Sequence, residues 1–453
     1  MESEIPRRVL SADQIFKTAQ SFFKKSASSS LILLSATLIA IIWANSRFDQ
    51  SYFDLWQMDL TISLGRYHFT QSLLHWIDDG LMTIFFFTVG LEIKREILVG
   101  ELASPKKALL PVTAALGGML FPAAIYLIFN YGRPGHEGWG IPMATDIAFS
   151  LGAIAVFGRK LPAGLRVFLS AFAIADDLGA VLVIALFYTK QIAWQYLLLD
   201  LPVLLAVFVA NLLWIRWTPI YAILGLLTWL AILASGVHPT VAGIVIAMFI
   251  PARAKYDTDR FVQKVHEITG KFECLEQSCG YTILLNRDHL DAVRDLEMAC
   301  HEVETPLQRL EHGLYPMVTF FILPLFALAN AGLRILDLNI MDTLAHPITL
   351  GITMGLLVGK PLGIVVFSYL SAKAGFVSLP DDVRWSHILG AGFLGGIGFT
   401  MSLFISTLSF HASDPADYSK LGILIGSLLS AILGLTYLWW VSRAERIRMN
   451  MKN

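Results

Sequence analysis

Apolar residues fill most of this chain in long runs, separated by short polar stretches. Runs long enough to span or half-span a bilayer cover 30–45, 74–97, 107–130, 140–158, 163–188, 194–215, 219–234, 237–251, 313–334, 347–371, 387–410 and 419–441. The pattern predicts an all-α membrane protein of twelve transmembrane helices, an even number that returns both termini to one side. Eight helices fall within 30–251 and four within 311–441, leaving a short tail over 442–453. Residues 1–29 precede the first span without forming a cleavable signal peptide; Ile15, Phe16, Ala19, Phe22 and Phe23 recur at helical spacing among Lys17, Lys24 and Lys25, which predicts an interfacial helix.

Two stretches break the pattern. Between the first spans, Trp56 to Leu64 alternates apolar with polar, Gly65-Arg66 offers a turn, and Tyr67 to Thr70 alternates again. A small extracytoplasmic β-hairpin over about 54–70 is the reading. A lone hairpin is marginal in water, so pairing with a second copy in a homodimer is expected. Residues 252–310 form the one large polar insertion, and Leu290, Val293, Leu296, Cys300, Val303, Leu307 and Leu310 mark an amphipathic helix running toward the ninth span.

Composition agrees. The chain is 55% hydrophobic and 15% charged with a mean hydropathy of +0.62, against about 25% charge in soluble domains. Membrane lipid is the partner this implies; a net charge of -1 without a polybasic domain gives nucleic acid no handle. Basic residues flank alternate turns, from Arg7, Arg8, Lys17, Lys24 and Lys25 through Lys94, Arg95, Lys106 and Lys107 to Arg443, Arg446, Arg448 and Lys452. The opposite loops hold only Arg47, Arg66, Arg133, Lys190, Arg334 and Lys420, which places both termini in the cytoplasm of a multi-pass inner-membrane protein. Cys274, Cys279 and Cys300 all lie in the insertion, on the reducing side, at a spacing unlike a zinc ribbon; free thiols are expected.

The informative residues are charges inside apolar runs, which cost about 2.5–3.5 kcal/mol each at a span centre. Asp176 and Asp177 sit mid-way along the fifth span, pointing about 100° apart on a helix. Two carboxylates so close in a low dielectric resist joint ionisation, as a proton carrier near neutral pH requires. The fourth span, Gly140-Ile141-Pro142-Met143-Ala144-Thr145-Asp146, disfavours one continuous helix, and Asp146 offers negative charge to exposed half-helix ends. The eleventh span is glycine-dense from Gly390 to Gly398. Interrupted segments in both halves of a chain point to an inverted-repeat transporter with its site at their crossing. Lys360, in the tenth span, is the basic residue placed well inside a run, a partner for a fifth-span aspartate or for half-helix carbonyls. Glu92, Lys94, Arg95, Glu96, Arg309, Glu311 and His312 cluster at the cytoplasmic ends of spans two and nine, where a histidine makes a pH switch feasible.

Taken in order, Gly90-Leu91-Glu92-Ile93-Lys94-Arg95-Glu96, Ala144-Thr145-Asp146-Ile147-Ala148-Phe149, Ala175-Asp176-Asp177-Leu178-Gly179-Ala180, Ser235-Gly236-Val237-His238, Leu310-Glu311-His312, Gly359-Lys360-Pro361-Leu362-Gly363 and Gly396-Ile397-Gly398-Phe399-Thr400-Met401-Ser402 resemble the NhaA sodium/proton antiporters over nearly the whole chain. The resemblance implies twelve helices in inverted repeats, with spans four and eleven discontinuous and crossing. It implies that Asp177 coordinates Na+ or Li+, and that Asp176 pairs with Lys360 or carries a proton. It places Asp146 and Thr145 in the broken-helix assembly, Glu92, Arg95, Glu96, Glu311 and His312 in a pH-responsive funnel, and His238 at an extracytoplasmic loop. The long insertion departs from compact members, as does Tyr315, where some carry a second funnel histidine. The expected activity is pH-regulated, electrogenic extrusion of Na+ or Li+ in exchange for external protons, with no cofactor and no enzymatic chemistry. Two other readings remain at this stage: an intramembrane aspartyl hydrolase, which needs carboxylates facing each other from separate helices, and an uncoupled cation channel.

Overall fold

The computed structural model describes residues 26–450 apart from 66, 158–159, 190–191, 254–257, 271, 273–286, 338 and 411–413. The expected interfacial helix before residue 26, the turn residue Arg66, and Cys274 and Cys279 lie outside that set; Cys300 is exposed with a free thiol.

Most apolar runs become helices. They are α1 (Ser26–Ala44), α2 (Asp49–Gln57), α3 (Met82–Val99), α4 (Pro105–Asn130), α5 (Ile147–Ala155), α6 (Ala163–Phe187), α7 (Trp194–Leu212), α8 (Thr218–Ser235) and α9 (Thr240–Phe249). After the polar pair α10 (Thr258–Gly270) and α11 (Arg287–Val303) come α12 (Pro306–Asn330) and α13 (Pro347–Lys373), then α14 (Trp385–Gly395), α15 (Phe399–Ser409) and α16 (Asp414–Asn450).

The protein is a multi-pass helical membrane bundle. Among the described residues seven helices are long and apolar enough to cross a bilayer, or up to nine if two bent pairs each count as one span. The difference from twelve has local causes. α3 carries Glu92, Lys94, Arg95 and Glu96 in its last turns. The run 140–158 yields a 3-10 stretch, His136–Met143, then extended backbone and the nine-residue α5. The run 237–251 yields only the ten-residue α9. The bent pair α1–α2 turns through 114°, and α2 tucks Tyr52 and Trp56 inward.

Two antiparallel strands, β1 (Asp59–Leu64) and β2 (Tyr67–Ser72), form the hairpin, registered from Asp59 opposite Ser72 to Leu64 opposite Tyr67. Residues up to Gln57 are helical, so the hairpin begins later than the alternation from Trp56 suggested. Phe69 packs edge-on against Trp76 at 5.4 Å between ring centres, anchoring the hairpin to the bundle. In the insertion, α10 and α11 bury Ile268, Ala292 and Ala299 in a small core of their own. The expected helix over 290–310 is two helices: α11 ends at Val303, and Thr305 starts α12 with a capping box to Gln308.

Two features of packing position the site. α4 and α13 cross at Gly117 and Gly363, where a Cβ on either glycine would overlap the other's backbone carbonyl, so the absence of side chains sets the approach. A π turn, Gly355–Gly359, interrupts α13 immediately before Lys360, with Gly355 packed on Pro142 and Gly359 on Pro122. Single π turns inside helices recur at functional positions.

Candidate functional site

Two stretches of non-helical backbone meet in the bundle. One, Ala144 to Asp146, lies between His136–Met143 and α5; the other, Gly396 to Gly398, lies between α14 and α15, which bend by 46°. Helix ends leave amides and carbonyls without partners, and lipid supplies none. Each break completes the other. The Asp146 amide donates to the Ile397 carbonyl (2.7 Å). The Thr145 hydroxyl donates to Gly395 O and the Ser150 hydroxyl to Leu394 O, both at 2.8 Å. In return the Ser402 hydroxyl donates to Ile141 O (2.8 Å).

Asp146 ties the two helix starts together. Its Oδ1 accepts from the Phe149 amide (3.1 Å) as the cap of α5, and its Oδ2 accepts from the Thr400 amide (3.0 Å) and hydroxyl (2.5 Å) at the start of α15. Both helices aim positive dipole ends at this one carboxylate. The sequence suggested a negative charge for half-helix ends, and the geometry puts Asp146 there.

The opposite polarity is handled by Lys360. Its Nζ donates to both Asp176 oxygens (2.8 and 3.0 Å) and to the carbonyl of Met143, the last residue before the first break. Lysine and aspartate side chains are both fully buried. Asp177 is different: it is 2% exposed, yet its Oδ2 has no hydrogen-bond partner among the described residues. Its charged surroundings include Asp176, Glu92, Asp146 and Lys360. Three buried carboxylates therefore face one buried ammonium. Were all ionised, two negative charges would be in excess, a state a low dielectric does not tolerate unaided. Protons or a small cation can complete the site.

At the cytoplasmic end of α3, the Arg95 guanidinium reaches Glu96 (3.3 Å), Glu311 (3.4 Å) and Glu92 (3.8 Å). Glu96 also accepts from the Glu101 amide (2.9 Å). Lys94 donates to Met248 O and Ile250 O, closing the C-terminal end of α9. His312 faces outward at 70% exposure and pairs with Glu304 (3.1 Å) instead of joining Arg95. His238 stands at the other end of α3, its Nε2 3.5 Å from Asp79 and its Nδ1 2.7 Å from the Thr240 hydroxyl. Thirteen residues separate Asp79 from Glu92, roughly 20 Å along a helix. The structure thus gathers Glu92, Arg95, Glu96 and Glu311, sets His312 beside them and separates His238.

Sequence reasoning passed over Asp78 and Asp79. Asp78 accepts from the Asn330 side-chain amide (2.9 Å), joining the approach to α3 with the end of α12. Both aspartates lie in the apolar run 74–97, so the rule that singled out Asp176 also reaches them. Thr400 belongs to a quoted motif, but its bond to Asp146 is visible only once the breaks are seen to cross.

The sequence model of the Na+/H+ antiporter 1 family matches residues 20–438. Full-length relatives are similarly clear. The chain is 45% identical over 434 residues to the Na(+)/H(+) antiporter NhaA 2 of Syntrophotalea carbinolica, covering 96% of this chain and 98% of the relative. It is 45% identical over 418 residues to the Na(+)/H(+) antiporter NhaA of Koribacter versatilis (92% and 90%) and 45% identical over 442 residues to the Na(+)/H(+) antiporter NhaA 1 of Saccharophagus degradans (97% and 94%).

The buried pair makes a stability prediction. Lys360→Met leaves the Asp176 carboxylate without its counter-charge and should cost about 3–5 kcal/mol, whereas adding Asp176→Leu should restore most of that loss. Unfolding of the purified variants in detergent measures both; additive losses would show the two side chains to be independent.

Proposed function

The chain belongs to the Na+/H+ antiporter 1 family, and on that premise we propose that Na+ and protons compete for Asp177, with Asp176 as its neighbour in the exchange. The protein is a Na+/H+ antiporter of the bacterial inner membrane, a secondary transporter and not an enzyme. The observation that carries the site assignment is the buried Asp177 oxygen without a hydrogen-bond partner among the described residues, beside an aspartate already held by Lys360.

In this reading Asp177 accepts a dehydrated Na+ or Li+, or else a proton, and never both. Asp176 either pairs with Lys360 or takes a proton when that pair opens. Thr145 and Asp146 hold the crossing in shape. The chain forms twelve spans in inverted repeats with both termini cytoplasmic, and the fourth and eleventh are the discontinuous pair. The mutual bonding of the two breaks supports this, as does Asp146 capping a helix in each half. Rocking of the crossed assembly against the rest of the bundle gives alternating access. With two protons per Na+, one net charge moves per cycle, worth about 2.3 kcal/mol per 100 mV, while each pH unit adds about 1.4 kcal/mol per proton. The hydrolase reading lacks its geometry, because the two neighbouring aspartates share one helix and Lys360 engages one of them.

Asp177→Asn should abolish Na+-driven proton movement in proteoliposomes while the protein stays folded, since the Lys360 pair is untouched. Retained antiport would remove Asp177 from the site.

Glu92, Arg95, Glu96 and Glu311 form the pH-responsive element, with His312 at its rim, and His238 acts separately at the far end. Arg95→Ala removes the cation among three carboxylates and makes their joint ionisation harder. The pH of half-maximal exchange should move to the alkaline side; an unmoved profile would place regulation elsewhere.

The hairpin pairs with its copy in a homodimer. Leu60 and Ile62 are exposed on β1, and the two-stranded sheet has open edges. Replacing 59–72 with a short glycine-serine linker should turn a dimer into a monomer in light scattering. A dimer of unchanged stability would reject the hairpin as the contact.

A further inference from the structure

α7 carries a carboxylate that the exchange site does not use. Asp200, six residues after Trp194, is 2% exposed, and its Oδ1 has no hydrogen-bond partner among the described residues. The Thr228 hydroxyl of α8 is its polar neighbour. Asp200 lines a cavity of about 390 Å³ between α7, α8 and α9. Trp194, Leu197, Leu201 and Leu204 form one wall at helical spacing, with Ile232 and Val241 opposite. Asp200 is the single charged residue of the lining among the described residues.

The position tells what this cavity meets. Only 17% of the spanning stretch of α7 is buried within the protein, so the helix lies at the periphery with much of its surface toward lipid. Six residues of rise put Asp200 about 9 Å deeper than Trp194, and tryptophans mark the level of the membrane interface. The charged groups that act on Asp177, namely Asp176, Glu92, Asp146 and Lys360, lie on other elements. A carboxylate at that depth is costly unless a proton or a cation satisfies it, and one threonine hydroxyl supplies a single donor. Apolar walls accept a hydrocarbon chain but not a hydrated metal ion, which would have to shed its water against leucines and valines.

We propose that this cavity is a lateral binding site for lipophilic primary amines in their ammonium form, with Asp200 as the counter-ion. The ammonium pairs with the Asp200 carboxylate, the charged group of the lining, while the alkyl chain lies along the α7 stripe. The volume falls within the range of small-molecule sites, roughly 300–1,000 Å³. A fatty alcohol of equal length fits the same walls without the charge, and a fatty acid brings a second carboxyl to the first. The head group therefore decides binding.

The test uses the full-length protein in detergent and three tail-brominated probes of one chain length: decylamine, decanol and decanoate. Bromine quenches nearby tryptophan, and the part lost in Trp194→Phe reports this cavity. Decylamine should quench Trp194 at a concentration at least about tenfold below decanol, the scale of a charge-assisted hydrogen bond. Asp200→Asn should erase that preference and leave Na+-driven proton exchange unchanged. Equal quenching by amine and alcohol, or a preference that survives Asp200→Asn, would overturn the proposal. If the Asn variant does not fold, Asp200→Glu decides: it should keep the amine preference, and loss of that preference with decanol binding intact would also overturn it.

Discussion

One buried ammonium organises the centre of this protein. Lys360 reaches a carboxylate on α6 and a backbone carbonyl at the end of the first chain break, and it does so from a helix whose register a π turn resets one residue earlier. Its charge could not stay at that depth without Asp176, and Asp176 could not stay without it. Close approach of α4 and α13, permitted by Gly117 and Gly363, brings the lysine-bearing helix inward against the bundle. The aromatic ring of Phe172 lies 5.9 Å from the ammonium and closes one side. Helix packing and charge placement are thus a single constraint.

The helix breaks divide the remaining electrostatic work by sign. Helix starts present amides, and Asp146 accepts from those of α5 and α15. Helix ends present carbonyls, and these receive donors: the Lys360 ammonium at Met143, the Thr145 hydroxyl at Gly395, the Ser150 hydroxyl at Leu394. A break in lipid is tolerated because these unsatisfied groups meet partners of the right sense, from across the crossing and from Lys360 of α13. Small and hydroxylated residues at both breaks let the backbones approach.

Much of this was legible in the sequence, because charge in an apolar run is loud. Asp146, Asp176, Asp177 and Lys360 stood out for the cost of their placement, and a lysine with few partners pointed to its aspartate. The same rule reached Asp78, Asp79 and Asp200 but was not pressed that far, since flanking runs look like span ends. Pairings that depend on crossing, such as Thr400 with Asp146, have no local signal: 254 residues separate them. Helix interruption was partly legible, through glycine and proline, whereas the boundary at Thr305 looked like continuous amphipathic helix because apolar spacing persists through a capping box. His238 and His312 show the limit of motif reasoning. A motif fixes neighbours in sequence, but only packing shows that one histidine meets Asp79 and the other Glu304.

Among the three central carboxylates, bonding already distinguishes roles. Asp146 has both oxygens engaged by helix starts, so a cation there would have to displace amides that have no other acceptor. Asp176 has both oxygens on Lys360, so a cation there would have to expel an ammonium into hydrocarbon. Asp177 has an oxygen without a hydrogen-bond partner among the described residues. In the proposed reading, a proton or a sodium ion binds at Asp177 without displacing either of those sets of bonds. Exchange needs such a group, poised and weakly held, and in that reading Asp177 supplies it.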